Sequence, residues 1–176
     1  MPIVLASTDQ VPGLDEFLTE RQALGLDRYD EFHDGVYVIV TGPTPEHGKL
    51  IVQLILALSP AATSRQLDIS TPANIGVDKV DCRVPDLAVF QADTERTSPA
   101  FLSTAELVIE VLSPGETPLA KLDFYARWNI TEYAELDQAT QTIRLFRRSD
   151  ATWHPTLTSA VLGFDAETLA TEITWP

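Results

Sequence analysis

The chain has 176 residues, of which 44% are hydrophobic and 22% charged, so its length suits one domain and its apolar content suits a buried core. Twelve Lys and Arg against 26 Asp and Glu give a net charge of −14, which disfavours a protein that grips a phosphate backbone over a broad surface. Because no apolar stretch approaches the ~20 residues of a membrane span, and Met1–Val11 lacks a basic signal-peptide start, we expect a cytoplasmic protein with no membrane association, folded as one domain over residues 1–176.

The first elements in chain order are a helix and a hairpin. Apolar side chains within residues 14–23 have helical spacing. Tyr29–Phe32 and Val36–Val40 are strand-like, and they flank Asp34-Gly35, a dipeptide that accepts the positive φ angles of a tight turn. The pattern therefore predicts a short helix followed by a β-hairpin.

A second helix follows the hairpin. Thr44-Pro45-Glu46 is a typical helix start, with a capping hydroxyl, proline at the first helical position and an acid near the positive end of the helix dipole. Ile51 begins an apolar stripe at helical spacing that runs to Leu58. Pro60 predicts that this helix ends near Ser59.

The rest of the chain alternates strand patterns with one more helix. The predicted strands are 67–70, 74–77, 84–91, 106–112, 132–136, 142–147 and 152–157, with a polar loop over 92–100 and a helix over Pro118–Trp128. This mixture predicts the α/β class in its mixed α+β form, with a central mixed β-sheet flanked by helices.

Two acidic residues interrupt strands that are otherwise apolar. Asp86 stands at the start of one strand, and Glu110 lies within Leu107–Leu112, a run so apolar that we expect both of its faces to be covered. A buried carboxylate protonates, pairs with a cation or binds a metal. The cation partner could be Arg83 or Lys121, in a salt bridge. The other possibility is a metal site.

The residue types favour a hard divalent cation over zinc. Mg²⁺ and Mn²⁺ take oxygen ligands, which two carboxylates on neighbouring strands would supply. The three histidines show no zinc-ligand spacing, and Cys82 is the single cysteine, which excludes an internal disulfide and has no surrounding signature of a nucleophile.

Three further residues are candidates for the same site. Lys121 is one of three lysines, and it can reach back from the helix that follows Glu110; a solvated surface lysine is the alternative. Glu46 and His47 stand at the start of the second helix, where a dipole-stabilising acid and a histidine bonded to the backbone would be the structural interpretation.

The ordered set of these motifs is similar to the Uma-two (DUF820-like) family, a branch of the PD-(D/E)xK restriction-endonuclease-like superfamily. The resemblance runs from about Arg28 to Arg148. Its motifs in chain order are Asp34-Gly35, Pro45-Glu46-His47-Gly48, Arg83-Val84-Pro85-Asp86, Glu110-Val111-Leu112-Ser113-Pro114, Lys121 with Tyr125, and Glu132-Tyr133.

This resemblance implies a nuclease-type core in which Asp86 and Glu110 bind Mg²⁺ or Mn²⁺ and Lys121 completes the catalytic set. The superfamily's usual lysine position holds Leu112 here, and Lys121 matches a lysine moved to the next helix. Glu46 matches a helix acid that serves as an additional metal ligand. Ala134 and Gln138 replace a tryptophan and a proline that are common in the family, outside the proposed ligands.

The resemblance implies metal-dependent hydrolysis of nucleic acid, with DNA favoured over RNA. The net charge of −14 favours a second hypothesis, a nuclease-like binding or regulatory module without turnover. Arg144, Arg147 and Arg148 form the one tight basic cluster, and strand alternation splits it between two faces. A salt-bridged core without a site is a third alternative, and the oligomeric state is left open.

Overall fold

The chain alternates short strands with four helices over the residues that the computed structural model describes, which are 3–4, 13–112, 119, 121–150 and 152–176. The helices are α1 (Leu14–Ala23), α2 (Pro45–Ser64), α3 (Leu122–Arg127) and α4 (Ala166–Glu172). The strands are β1 (Ile3–Val4), β2 (Glu31–His33), β3 (Val36–Ile39), β4 (Leu67–Ser70), β5 (Asn74–Val77), β6 (Asp81–Arg83), β7 (Leu87–Gln91), β8 (Arg96–Ser98), β9 (Phe101–Leu102), β10 (Leu107–Leu112), β11 (Glu132–Asp137), β12 (Thr142–Ser149) and β13 (Thr152–Thr156).

The central mixed sheet has six strands in the order β13-β12-β11-β10-β7-β4. Its β10 and β11 are parallel, with α3 in the crossover between them, and the other pairs are antiparallel. One face packs against α2 and α4, and the other against α3 and part of a second sheet. The predicted class, a mixed sheet flanked by helices, is confirmed.

The second sheet has seven strands in the order β1-β3-β2-β6-β5-β9-β8, and the sequence did not predict it as a separate layer. The chain passes from this sheet to the central one between β6 and β7, through Val84, Pro85 and Asp86. Asp86 therefore lies where the two sheets meet.

Strand alternation places Glu110 on the face opposite α2. Leu107, Ile109 and Val111 of β10 pack in the core that contains α2, whereas Val108 packs with the side chains of α3. Since successive side chains of a strand point to opposite faces, Glu110 lies on the α3 side together with Val108.

The first helix, the hairpin and most of the predicted strands are confirmed by α1, β2, β3 and the strands of the central sheet. The hairpin turn has the expected left-handed backbone, with φ of 50° at Asp34 and 83° at Gly35. Gly35 also donates its N–H to the carbonyl of Val80 at 2.7 Å, which ties the turn to the second sheet.

The predicted end of α2 is wrong, because the helix continues through Pro60 to Ser64. Pro60 cannot donate a backbone hydrogen bond, but it lies on the exposed side of the helix, where the carbonyl of Leu56 can be hydrated instead. Buried Ala62 anchors the final turn against the central sheet.

Three other boundaries differ from the predictions. The strand expected from Val84 begins at Leu87, since Val84–Asp86 form the crossing between sheets, and the loop expected over 92–100 contains β8. The helix expected over Pro118–Trp128 has its described part at Leu122–Arg127, and Leu119 has φ of 62°, which a helix excludes. Pro118 and the Ser113-Pro114 motif lie outside the described residues.

No described helix is both long enough and apolar enough to span a membrane. The C-terminal helix α4 was not predicted. Its cap is Asp165, whose side chain accepts the N–H of Thr168, and only Ala166 and Leu169 of the helix are buried, so its apolar pattern is too short to identify from sequence.

Candidate active site

Asp86 and Glu110, the two acids singled out by sequence, lie on adjacent strands. Leu87 pairs with Ile109 in the antiparallel register of β7 and β10, and one further step along this register sets Asp86 opposite Glu110. Asp86 Oδ2 accepts the backbone N–H of Val111 at 2.8 Å. The structure therefore brings the two carboxylates together at one end of the central sheet.

Glu110 is buried, as expected, and its carboxylate has two donors. Its Oε1 lies 3.1 Å from Lys121 Nζ and accepts a short hydrogen bond from the hydroxyl of Tyr125. The strand supplies the acid and the following helix supplies both donors, since Lys121 caps α3 and Tyr125 lies within it. The reach predicted for Lys121 is confirmed.

Lys121 joins the central sheet to the second sheet. Its ammonium lies 2.8 Å from Glu31 Oε1 as well as 3.1 Å from Glu110 Oε1. Burial acts to lower the pKa of Lys121, but the two carboxylates outweigh it and hold the pKa above its ordinary value. Lys121 is therefore a fixed cation, with 26% of its side chain exposed.

Glu31 is the site residue that sequence reasoning missed. It lies on β2 of the second sheet, is buried, and accepts the backbone N–H of Val84 at 3.0 Å in addition to Lys121. Burial acts to raise the pKa of Glu31, but Lys121 and the bonds from His33 and Val84 lower it to about 2. The carboxylate is thus ionised at neutral pH.

His47 contacts the site through Asp86, whereas Glu46 beside it does not pair with the other candidate residues. His47 is buried in the first turn of α2, and its Nε2 lies 2.8 Å from Asp86 Oδ1, so a side-chain carboxylate contacts this ring. Glu46 is exposed and makes no hydrogen bond or ion pair with another described residue. Its role as a metal ligand remains a prediction.

The electrostatics of this group favour an added cation. Burial raises the pKa of Glu110 to about 7, Lys121 opposes this rise, and the negative charges of Asp86 and Glu31 add to it. When Glu110 is ionised, three carboxylates against one ammonium leave a formal excess of two negative charges. A divalent cation would cancel that excess.

The donor set suits magnesium or manganese better than a fully protein-ligated metal. Within the described ranges no group of three or more His, Cys, Asp or Glu has the arrangement of a complete metal shell. Mg²⁺ is commonly held by one or two carboxylates, with water and substrate phosphate filling the remaining positions. Asp86 and Glu110 would provide those two carboxylates.

Two other residues considered from the sequence, Arg83 and Cys82, have structural roles. Arg83 donates to the carbonyl of Phe32 at 2.6 Å and pairs with Asp81 at 3.1 Å, so Lys121 is the cation that reaches Glu110. Burial raises the pKa of Cys82 to about 12, which leaves no reactive thiolate at neutral pH.

The arginines of β12 are occupied by acids and carbonyls. Arg147 Nε lies 3.0 Å from Glu132 Oε1, and Arg144 forms a short ion pair with Glu135. Arg148 donates to the carbonyl of Ile130. This strand therefore offers little free positive charge to a phosphate backbone.

A cleft of about 240 Å³ opens beside Asp86. Its walls come from the segment before β2, the start of α2, and two of the segments that pass between the sheets, those after β4 and after β6. Its lining residues are Arg28, Tyr29, Pro43, His47, Gly48, Ile51, Thr71, Pro72, Val84, Pro85 and Asp86. The cleft gives solvent and small groups a route to the Asp86 carboxylate.

Comparison with known proteins identifies the family and the fold of the chain. The profile of the Uma2 family, described as "putative restriction endonuclease", matches residues 16–172. A crystal structure of a "putative nuclease belonging to DUF820" from Anabaena variabilis ATCC 29413 has a TM-score of 0.67 at 16% identity, covering 90% of this chain and 97% of that chain. At this identity the likeness is one of fold. No curated protein matches the chain.

Proposed function

Because the chain belongs to the Uma2 family of restriction-endonuclease-like proteins, we propose that it is a metal-dependent nuclease that hydrolyses phosphodiester bonds, DNA in the first place, at the site of Asp86, Glu110 and Lys121. One observation carries the proposal. Acids from both sheets converge on a single ammonium, with Lys121 Nζ 2.8 Å from Glu31 and 3.1 Å from Glu110.

The proposed metal ligands are Asp86 and Glu110, with Glu46 as an additional ligand. Bound Mg²⁺ or Mn²⁺ would supply Lewis acidity, which stabilises charge on a phosphoryl oxygen and lowers the pKa of water. Asp86 is held for this role by two hydrogen-bond partners, Val111 N–H at 2.8 Å and His47 Nε2 at 2.8 Å. These bonds fix the orientation of its carboxylate.

Lys121 is the proposed electrostatic catalyst. Its ammonium is fixed beside the acids before substrate arrives, so it can stabilise charge that develops on phosphate or orient the nucleophile without a reorganisation cost. Glu31 positions this ammonium from the second sheet, and Tyr125 orients Glu110 through its hydroxyl. Both are positioning residues.

The alternative is a nuclease-like module that binds without turnover. The observation that favours it is the pairing of Arg144 and Arg147 with Glu135 and Glu132, in a protein of net charge −14. Such a surface offers few contacts to a long polyanion. Cleavage therefore has to be tested directly and not assumed from binding.

The decisive experiment is a cleavage assay on labelled single-stranded and double-stranded DNA and RNA with Mg²⁺ or Mn²⁺. We expect cleavage by the wild type, and Asp86→Asn and Glu110→Gln should each lower kcat by about 100-fold or more, since each removes a charged metal ligand. Asp68→Asn and Glu172→Gln alter exposed acids outside the site and should cleave as wild type. Equal cleavage by Asp86→Asn and wild type would refute the mechanism, and no cleavage of any substrate would favour the binding module.

A further inference from the structure

We propose that the site accepts a single nucleic-acid strand, with one phosphate held by Arg28 and one base stacked on Tyr29, and that it discriminates against duplex. This inference deepens the proposed nuclease function and rests on it for the identity of the polymer. It follows from the composition of the cleft beside Asp86, from the depth of the acids and from the distribution of positive charge.

The cleft places a cation and an aromatic ring beside Asp86. Arg28 and Tyr29 line it together with His47 and Asp86. Neither Arg28 nor Tyr29 forms an ion pair or side-chain hydrogen bond with another described residue, so the guanidinium and the ring face are available to a ligand. Proteins that bind single strands combine these two elements, a cation for the backbone and an aromatic face for a base.

The acids of the site are mostly shielded from solvent, and Asp86 is the one that lines the cleft. The side chain of Asp86 is 25% exposed and that of Glu110 is 10% exposed. A cleft of about 240 Å³ is below the roughly 300–1,000 Å³ of typical small-molecule sites. It suits a phosphate with part of one nucleotide, and base pairing and stacking in a duplex would keep a base from the ring of Tyr29.

Positive charge around the cleft is also too sparse for duplex. Arg28 is the one arginine or lysine among the described residues that line the cleft. The adjoining cavity of about 780 Å³ shares Arg28 and Pro72 with the cleft, and the described residues on its walls include four aspartates against Arg28 and Lys79. Since duplex-binding proteins commonly neutralise about 6–10 phosphates, this surface fits a short contact with one strand.

Fluorescence anisotropy with Ca²⁺ in place of Mg²⁺ tests the inference on the full chain. The probes are a labelled DNA strand of about 12 nucleotides, the RNA strand of the same sequence, and the DNA duplex. We expect at least one single strand to bind about tenfold or more tightly than the duplex, and the DNA and RNA arms show which strand is preferred.

Variants at the two cleft residues separate a binding role from a structural one. Arg28→Gln should weaken single-strand binding about tenfold and reduce the slope of log K against log salt by about 0.7, the contribution of one phosphate. Tyr29→Leu should weaken binding about tenfold by removing the stacking face, whereas Tyr29→Phe should retain it. Arg96→Gln is the matched control, since Arg96 is exposed and lines neither cavity.

Two results would overturn the inference. One is duplex binding as tight as single-strand binding, and the other is an Arg28→Gln variant whose affinity and salt slope match those of Arg96→Gln. The nuclease proposal fails separately: selective strand binding without cleavage would refute turnover and leave the binding inference standing, whereas preferential cleavage of duplex would refute the inference and leave the nuclease standing.

Discussion

At the scale of single residues, Glu110 is subject to opposing influences. Burial and the carboxylates of Asp86 and Glu31 favour its protonated form, while Lys121 favours its ionised form. The balance raises its pKa to about 7. This places a carboxyl group that is ionised in water near half-protonation at neutral pH, before any metal binds.

This shift predicts how stability depends on pH without metal. Between about 4.5, the ordinary pKa, and about 7 the folded protein binds more protons at Glu110 than the unfolded chain does, so the free energy of unfolding falls as pH rises through this window. Glu110→Gln removes the titrating carboxyl group, so the variant should not lose this part of its free energy of unfolding as pH rises. Between pH 5 and pH 7.5 the free energy of unfolding of the variant should rise by about 1–3 kcal/mol relative to that of wild type. Urea unfolding in EDTA measures this difference.

Glu172→Gln is the control for this measurement, because Glu172 is exposed at the end of α4. It should follow the wild-type pH dependence throughout. Parallel curves for wild type and Glu110→Gln would show that Glu110 does not titrate in this window and would contradict the account of its environment.

At the scale of elements, Glu110 of β10 belongs to the candidate site, whereas the buried Glu132 of β11 has a structural role. Glu132 of β11 lies on the face towards α4. It binds Arg147 at 3.0 Å, the hydroxyl of Ser159 at 2.5 Å and the backbone N–H of Ala160 at 2.8 Å. Its carboxylate therefore anchors the segment that leads into α4, away from the Lys121 site.

Substitution of this anchor should cost stability and not activity. Glu132→Ala leaves the hydroxyl of Ser159 and the N–H of Ala160 without their partner, which should lower the free energy of unfolding by about 1–3 kcal/mol. Thermal denaturation measures this loss, and Glu172→Ala serves as the exposed control. Where the variant is still folded, its cleavage rate should equal that of wild type; loss of cleavage in folded protein would assign Glu132 to the site.

Two kinds of feature could be predicted from the sequence. One is an element that follows from local signals, and the other is an acid that breaks a local pattern. The hairpin follows from Asp34-Gly35, and Asp86 and Glu110 stand out because their strands are otherwise apolar. Glu31 gives no such signal: it follows Asp30 in a short strand, and its partner Lys121 is 90 positions away on another layer. The second sheet that brings them together depends on pairing between distant segments, which no periodicity encodes.

At the scale of the whole molecule, the acidic net charge and the candidate site favour the same kind of ligand. Six of the basic side chains, including Arg144 and Arg147, pair with described carboxylates. These pairs reduce the positive charge available to a long polyanion, whereas the negative charge of Asp86, Glu110 and Glu31 would favour the proposed divalent cation. The molecule is thus better suited to a metal and a short substrate contact than to wrapping duplex.

The central claim is that Asp86 and Glu110 together hold a divalent metal, and calorimetric titration with Mn²⁺ tests it most directly. We predict saturable binding by the wild type and an increase in Kd of at least about tenfold for Asp86→Asn and Glu110→Gln. Asp68→Asn and Glu172→Gln should bind as wild type. Absence of saturable binding by the wild type, or equal binding by Asp86→Asn and wild type, would contradict the claim.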